Sequence, residues 1–135
     1  MNISALPSAQ VNSAWKYIAP FIKKGLDEGL NERSIDTVKD RAGRGEVLVI
    51  IVEDKELLCV QTYEIVHTGN KKIMNLYTTG GIKLDSYMNE LLEVIEHIAI
   101  EHGCDSIYTK GRKGWERKLK GHGYNHGYTV LEKRL

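Results

Sequence analysis

Histidine and cysteine are the residue types whose spacing in this chain could support metal or nucleophilic chemistry. His97 and His102 are five residues apart on one predicted helix, so they do not share a helix face as ligands four apart would. Cys59 and Cys104 lie outside any CxxC motif, and buried cysteines acting as small hydrophobic residues are the simpler interpretation. No nucleophile elbow supports a Ser-His-Asp triad. We therefore expect no metal site and no cysteine or serine nucleophile.

Basic residues are concentrated between positions 110 and 122. This segment contains six basic residues and one acidic residue, whereas the 135-residue chain holds 19 basic and 18 acidic residues in total. The segment could contact an acidic protein surface or nucleic acid, with Trp115 stacking on bases. It could equally be a solvated basic helix in which Trp115 and Leu119, four residues apart, point into the core. The core position is the preferred interpretation for Trp115, and the alternatives stay open for the partner-binding candidates Arg112, Lys113 and Arg117.

The first half of the chain predicts two helices followed by three strands. Apolar residues recur every three or four positions from 11 to 26, which is typical of an amphipathic helix, and Pro20 should kink or end it. A second helix is expected at about 32–42. The hydrophobic pattern then changes to strands with short turns between them, which should form an antiparallel meander. These strands cover about 47–52, 56–66 and 72–79.

The second half begins with the most strongly periodic helix. Asp85 or Ser86 could cap its start, and Gly103 ends it. A strand at 106–109, a basic helix at 112–120 and a final strand at 128–134 complete the order α-α-β-β-β-α-β-α-β. Because a full helix separates the third and fourth strands, these two should be parallel. The expected fold class is α+β, with a mostly antiparallel sheet and one parallel crossover.

Length and composition exclude several classes of protein. The chain is 41% hydrophobic and 27% charged, which fits one ordered domain covering residues 1–135. A net charge of +1 does not favour a dedicated nucleic-acid binder. No apolar run approaches the roughly 20 residues that a membrane helix needs, and no signal peptide is recognised. The sequence therefore predicts a cytoplasmic protein that has no membrane partner.

The element order resembles the GNAT superfamily of N-acetyltransferases. The similarity is one of pattern rather than of identical residues, and it spans nearly the whole chain. It includes the meander, the helix that ends before Gly103, and the late motif Lys118-Leu119-Lys120-Gly121-His122-Gly123-Tyr124. A neighbouring stretch is similar to short GNAT-like proteins encoded by bacteriophages, namely Gly111-Arg112-x-Gly114-Trp115-x-Arg117-x-Leu119.

The resemblance implies acetyl-CoA as a cofactor. In that family the third meander strand offers backbone groups to the pantetheine arm, and a loop with the motif Gln/Arg-x-x-Gly-x-Gly/Ala binds the pyrophosphate at a helix N-terminus. That motif is absent here, and Asp85 would repel a phosphate. The basic segment could bind the 3′-phosphate end of the cofactor. The cofactor-binding residues implied on this chain are Tyr77, Thr78, Gly80, Gly81, Lys83 and Ser86.

The resemblance also implies residues for general acid–base catalysis. Many members carry a tyrosine four residues before the late glycine–aromatic pair, where it protonates the thiolate of coenzyme A, but this chain has Leu119 there. The substitutes on this chain are Glu64 on the second meander strand as the base, and His122 or Tyr124 as the acid.

Two functions follow from these observations. The first is a divergent acetyl-CoA-dependent N-acetyltransferase that acts on an unknown amine. The second is a non-catalytic protein of the same fold that binds protein partners, for example in a phage particle or in the host cytoplasm. Fold alone does not choose between them, because function depends on the site.

Overall fold

The computed structural model describes residues 1–29, 32–110 and 113–135. Its strands and helices confirm the predicted α+β fold class, which combines a mostly antiparallel sheet with one parallel pair. In chain order the elements are β1 (Asn2–Leu6), α1 (Val11–Glu28), α2 (Ile35–Gly43), β2 (Leu48–Asp54), β3 (Glu56–His67), β4 (Lys72–Gly81), α3 (Met88–Glu101), β5 (Ser106–Thr109) and α4 (Lys113–Lys120).

The five strands form one sheet in the order β1-β2-β3-β4-β5. The first three pairings are antiparallel. Short turns reverse the chain between β2 and β3 and between β3 and β4, whereas α1 and α2 connect β1 to β2. The pairing of β4 with β5 is parallel, as the intervening helix α3 requires. The change from antiparallel to parallel pairing that the sequence predicted therefore occurs at β4, which is antiparallel to β3 and parallel to β5.

Helices cover both faces of the sheet. One hydrophobic cluster joins α1 and α2 to the sheet, with Ile22 and Val38 fully buried. The other joins α3 to the opposite face, where Leu91 and Ile95 are each 1% exposed, and it also includes Leu119 of α4. Because side chains of β2 are buried on both faces, its sequence is an uninterrupted apolar run rather than an alternating one.

The structure corrects the sequence prediction at both ends of the chain. No element was predicted for residues 2–6, but they form β1, which pairs with β2 along its full length. The predicted final strand at 128–134 is wrong, because residues 124–135 are irregular. Glycines at 121, 123 and 127 favour this irregular path, since glycine loses the most conformational freedom on entering a strand.

Two predicted helix boundaries also differ. Helix α1 continues through Pro20 to Glu28 without a break. Pro20 is exposed, so water can bond the carbonyl group that the missing proline amide leaves free. Helix α2 begins at Ile35, later than expected, because the side chain of Ser34 accepts a hydrogen bond from the Thr37 amide and caps the helix there.

Cys59 should make the protein sensitive to alkaline pH. Burial raises the pKa of its thiol from 9.0 to about 11. The unfolded chain therefore loses this proton first, so the stabilisation is complete below pH 9 and is lost as the pH rises through 11. A two-unit pKa difference corresponds to about 2–3 kcal/mol. Urea unfolding between pH 8 and 11 should show this loss, and Cys59→Ala should reduce its slope between pH 9 and 10, below the range in which the buried tyrosines contribute. The control, Cys104→Ala, changes a more accessible thiol and should leave most of the slope; identical slopes in all three proteins would contradict the assignment.

Candidate functional site

A bulge in β4 opens the sheet next to β5. Gln61 pairs with Thr79 and Tyr63 pairs with Leu76, so two residues of β4, at positions 77 and 78, lie opposite the single residue at position 62 of β3. Pairing between β4 and β5 ends at the same point, with Leu76 beside Thr109. Beyond Leu76, the β5-facing backbone of β4 is therefore open among the described residues.

Two buried threonines stabilise the bulge. The Thr62 hydroxyl accepts a hydrogen bond from the Thr78 amide at 3.0 Å, and the two hydroxyl oxygens are 2.6 Å apart. Thr62 is fully buried and Thr78 is 4% exposed. Because buried polar groups without partners are costly, this pairing allows the strand to bulge without leaving an amide unsatisfied.

A small cavity of about 70 Å³ lies where β4 and β5 separate. Its walls come from β4, the end of β5, the C-terminal end of α1, the start of α3, and α4. We call it the inner cavity; its lining includes Gly25, Glu28, Tyr77, Thr79, Thr109, Trp115 and Leu119. It combines apolar side chains with strand backbone, which is the composition expected of a small-molecule site.

Glycines bring α1 against β4 at one wall of the inner cavity. A Cβ atom on Gly80 would lie 1.7 Å from the Phe21 carbonyl oxygen, and one on Gly25 would lie 2.9 Å from the Thr78 Cβ. The Lys24 ammonium also donates to the Gly81 carbonyl at 2.9 Å. The structure therefore places Gly80 and Gly81 in β4, paired with β3 and packed against a helix, rather than in a phosphate-binding loop.

The connection between β4 and α3 is a short 3-10 turn. The Ser86 hydroxyl donates to the Lys83 carbonyl at 2.7 Å, so this side chain closes the turn and does not cap the helix as the sequence predicted. Tyr87 occupies the N-cap position without a side-chain cap, and its buried hydroxyl donates to the Ile82 carbonyl at 2.6 Å. The first amides of α3 therefore have no partner from its own cap residue.

Two charged residues flank the start of α3. Asp85 does not cap the helix but forms an ion pair with Lys118 of α4 at 2.9 Å. Lys83 is exposed and adopts a left-handed conformation with φ of 55°. The pairing with Lys118 compensates the Asp85 charge that would otherwise repel an anion at this helix end.

Glu64 is held by two arginines on the α1–α2 side of the sheet. Its Oε1 accepts a hydrogen bond from Arg33, and its Oε2 accepts one from Arg41 at 3.4 Å. The hydrogen bond between Arg33 and Glu64 is the main reason that the pKa of Arg33 is raised. Arg33 also lies over the Tyr77 ring, with its Cζ 4.6 Å from the centroid. Both oxygens of Glu64 are thus engaged, and the described lining of the inner cavity does not include this residue.

His122 and Tyr124 lie on the other side of the sheet from Glu64. Tyr124 packs against the α3-side cluster, and burial together with Glu96 raises the pKa of its hydroxyl to about 12. His122 is exposed beyond the end of α4. Both residues line a wide groove of about 980 Å³ along the outer side of β5, which we call the outer groove. The structure therefore does not bring the three predicted acid–base residues together.

The basic segment is partly neutralised by neighbouring elements. Lys110 is 3.5 Å from Glu32, and Lys118 pairs with Asp85. Arg117 is exposed on α4, Arg112 lies outside the described residues, and Lys113 begins α4. Trp115 packs against the core, as preferred from its spacing, and lines both the inner cavity and the outer groove.

Three of the residues that shape this site, Arg33, Arg41 and Thr62, were not among the candidates predicted from the sequence, whereas Thr78 was. Arg33 and Arg41 showed no signal, because a short polar helix predicts solvent exposure rather than an ion pair with a strand. Thr62 and Thr78 sit in runs with strong strand propensity, where a bulge leaves no local mark. The close approach of α1 had a usable signal in Gly25, since an interior helix glycine without a cap often reflects close packing.

Residues 1–29, 32–110 and 113–135 contain neither a metal-binding group nor a membrane-spanning helix. No three histidine, cysteine, aspartate or glutamate side chains in these ranges are grouped so that they could hold a metal ion. None of the helices in the same ranges has the length and apolar character needed to span a membrane.

Comparisons with known proteins identify the fold. No protein-family model and no curated protein sequence matches the chain. Among solved structures, a probable acetyltransferase matches with 16% identity and a TM-score of 0.74, covering 100% of this chain and 97% of that one. A predicted acetyltransferase with acetyl-CoA from Clostridium acetobutylicum matches with 13% identity and a TM-score of 0.71, covering 98% and 95%.

A third structure gives the same result. The ribosomal-protein-alanine N-acetyltransferase from Brucella melitensis is 10% identical, with a TM-score of 0.69 and 100% of both chains covered. Identities this low show a shared fold.

Proposed function

We propose that this chain, which has the GNAT acetyltransferase fold, binds acetyl-CoA between β4 and β5 and transfers its acetyl group to an amine. The observation that carries the proposal is the bulge at Tyr77 and Thr78. It leaves strand backbone open toward a cavity, and such an edge can hydrogen-bond an extended amide chain. The pantetheine arm of coenzyme A has that chemistry.

The residues at the site fit the two ends of acetyl-CoA differently. At the thioester end, backbone groups of residues 77–79 would bind the arm, and the inner cavity of about 70 Å³ has room for a small acyl group only. At the phosphate end, the uncapped amides of α3 would receive the pyrophosphate, with Lys83 supplying positive charge. Gly80, Gly81 and Ser86 support this site through packing and the turn rather than through direct contact.

Proton transfer needs a group near the reacting atoms. Bound acetyl-CoA supplies an activated thioester, and the attacking amine must be deprotonated to react. Glu28 lines both the inner cavity and the outer groove, so it is the carboxylate best placed to accept that proton, in place of Glu64. As the amine nitrogen forms the amide bond the thioester C–S bond breaks, and coenzyme A leaves as its thiolate, which takes a proton from water. Tyr124 lines the outer groove and not the inner cavity, so we assign it no part in this protonation.

Thermal unfolding with acetyl-CoA tests the binding step. A ligand at 100 times its dissociation constant stabilises the folded state by about 2.7 kcal/mol, which raises the melting temperature measurably. Thr109→Trp would fill the inner cavity from an exposed position and should abolish this rise. The matched control, Asn70→Trp, places the same side chain in the exposed β3–β4 turn and should leave it intact. No rise in the unmodified protein at millimolar acetyl-CoA would refute the proposal.

Release of free thiol from acetyl-CoA in the presence of amines tests the transfer step. Glu28→Gln should lower the release at least tenfold while leaving the thermal shift unchanged, since it removes the base and not the binding site. Equal release by Glu28→Gln and the unmodified protein would exclude this role for Glu28.

A non-catalytic protein of this fold is the second candidate function. It is favoured by Leu119, which is 4% exposed in the core at the position where the resemblance implies a tyrosine, and by the two arginines on Glu64. A thermal shift with acetyl-CoA but no thiol release with any amine would favour this candidate. A role in a phage particle stays a prediction from the sequence.

A further inference from the structure

Two buried polar atoms near Glu64 have no hydrogen-bond partner in the described part of the chain. They are the hydroxyl oxygen of Tyr77 and the Nε of Arg41. Arg41 bonds one carboxylate oxygen of Glu64 and Arg33 bonds the other. Arg33 also lies over the Tyr77 ring. Folded proteins rarely leave a buried donor unpaired, so two such donors in one cluster indicate a site for a hydrogen-bond acceptor from a ligand.

The guanidinium groups have more donors than Glu64 uses. We call Arg33, Arg41, Glu64 and Tyr77 the arginine cluster. Glu64 accepts from one nitrogen of each arginine, Nη1 of Arg33 and Nη2 of Arg41, whereas each guanidinium carries five N–H groups. Both arginine side chains are partly exposed, so a ligand can reach them, and they are buried enough that water weakens an ion pair there less than at the surface.

The charge of the arginine cluster matches one carboxylate. Two arginines and the single carboxylate of Glu64 leave one positive charge. Glu46 lies 3.8 Å from Arg41 but is closer to Arg44, at 2.8 Å, which compensates its charge. The planar guanidinium fork suits a carboxylate, and a phosphate monoester carries more negative charge than the cluster neutralises. The cluster therefore favours a carboxylate ligand.

Tyr77 connects the arginine cluster to the inner cavity. Its ring lies 4.6 Å from the Cζ of Arg33, and the same residue lines the inner cavity together with Glu28. Burial raises the pKa of the Tyr77 hydroxyl, against the opposing effect of Arg33, so this group keeps its proton and can donate it in a hydrogen bond. One cavity lining thus joins a carboxylate that can attract an ammonium group to a cluster that can bind an anion.

We infer that the arginine cluster binds the carboxylate of an amino acid whose amine lies toward Glu28. This inference rests on the proposed function and names its substrate class, a small molecule with both an amine and a carboxylate. The arginines bind the carboxylate through the N–H groups that Glu64 does not use, and the Tyr77 hydroxyl donates to one of its oxygens. Glu64 is a positioning residue, because it holds both guanidinium groups.

Tyr77→Phe tests the site because it removes only the unpartnered hydroxyl. Calorimetric titration with glycine, β-alanine and 4-aminobutyrate, without acetyl-CoA, measures binding directly. The substitution should raise the dissociation constant roughly fivefold, the effect of one hydrogen bond, and leave the unfolding midpoint unchanged or higher. The matched control, Tyr17→Phe, removes an exposed hydroxyl on α1 and should change neither. No binding of any of these amino acids, or an unchanged dissociation constant in Tyr77→Phe, would overturn the inference.

Thiol release separates this inference from the proposed function. Each amino acid is compared with the amine that lacks its carboxylate, namely methylamine, ethylamine or propylamine. We expect kcat/KM to be roughly tenfold higher for the amino acid, and Arg33→Gln should abolish that preference by raising KM for the amino acid alone. Equal rates for both compounds would overturn the inference while transfer stands. Amino-acid binding without thiol release from any amine would refute transfer and support the site.

Discussion

Gly80→Ala should lower the free energy of unfolding by more than about 4 kcal/mol or prevent folding. The added Cβ would lie 1.7 Å from the Phe21 carbonyl oxygen and 2.7 Å from its carbon, and both atoms belong to the helix backbone. A side chain could rotate away, but α1 can only move as a unit. Moving it would uncover Ile22, which is fully buried. Urea unfolding followed by circular dichroism measures the loss.

Gly43→Ala is the matched control for this substitution. Its Cβ would meet no atom closer than 4.0 Å, at the end of α2. Alanine is also the better helix former by roughly 1 kcal/mol, so this variant should be as stable as the unmodified protein or slightly more stable. Gly25→Ala should lie between the two, because its closest contact is the Thr78 Cβ at 2.9 Å. If Gly80→Ala unfolds with the same midpoint as Gly43→Ala, α1 does not pack on β4 as described.

Glu64→Ala should cost about 2–4 kcal/mol, because it leaves Arg33 and Arg41 without their shared partner. The carboxylate side chain is 10% exposed, and the two arginine side chains are 29% and 30% exposed. Breaking a buried ion pair from one side typically costs 3–5 kcal/mol, and partial exposure of the arginines reduces that value. Equilibrium unfolding in urea at low and high salt measures it.

Two companion variants separate charge from packing. Glu64→Gln keeps the shape and one acceptor oxygen, so we expect a smaller loss than in Glu64→Ala. Glu64→Leu combined with Arg33→Met and Arg41→Met removes all three charges and should recover much of the stability. A Glu64→Ala protein as stable as the unmodified one would mean that the arginines do not depend on this carboxylate.

Hydrophobic periodicity predicted most of the elements because the buried side chains of each one recur at a regular spacing within a single segment of the chain. The α3 helix and the three meander strands came directly from the spacing of their apolar residues. β1 was missed because five residues before a proline have too few apolar positions to show a period. The strand at 128–134 was predicted from its strand-forming residues, but a strand needs a partner, and among the described residues none pairs with this segment.

The site was less predictable than the fold because it depends on contacts between distant segments. The bulge at Thr78 exists only when Thr62 pairs with it across the sheet. Glu64 was predicted as a base from its residue type and strand, whereas its carboxylate is bound by two arginines, one from the α1–α2 connection and one from α2. Residue type therefore indicated candidates, and long-range pairing decided which of them meet.

The hydroxyl pair in the β4 bulge also fixes when the backbone is ordered. Because Thr62 and Thr78 satisfy each other in the folded protein, the open edge forms during folding and does not wait for a ligand. The conformational entropy lost in ordering that strand is thus part of the free energy of folding. It does not reduce the binding free energy of a ligand at this edge. Preorganisation of this kind favours affinity for a small, flexible molecule.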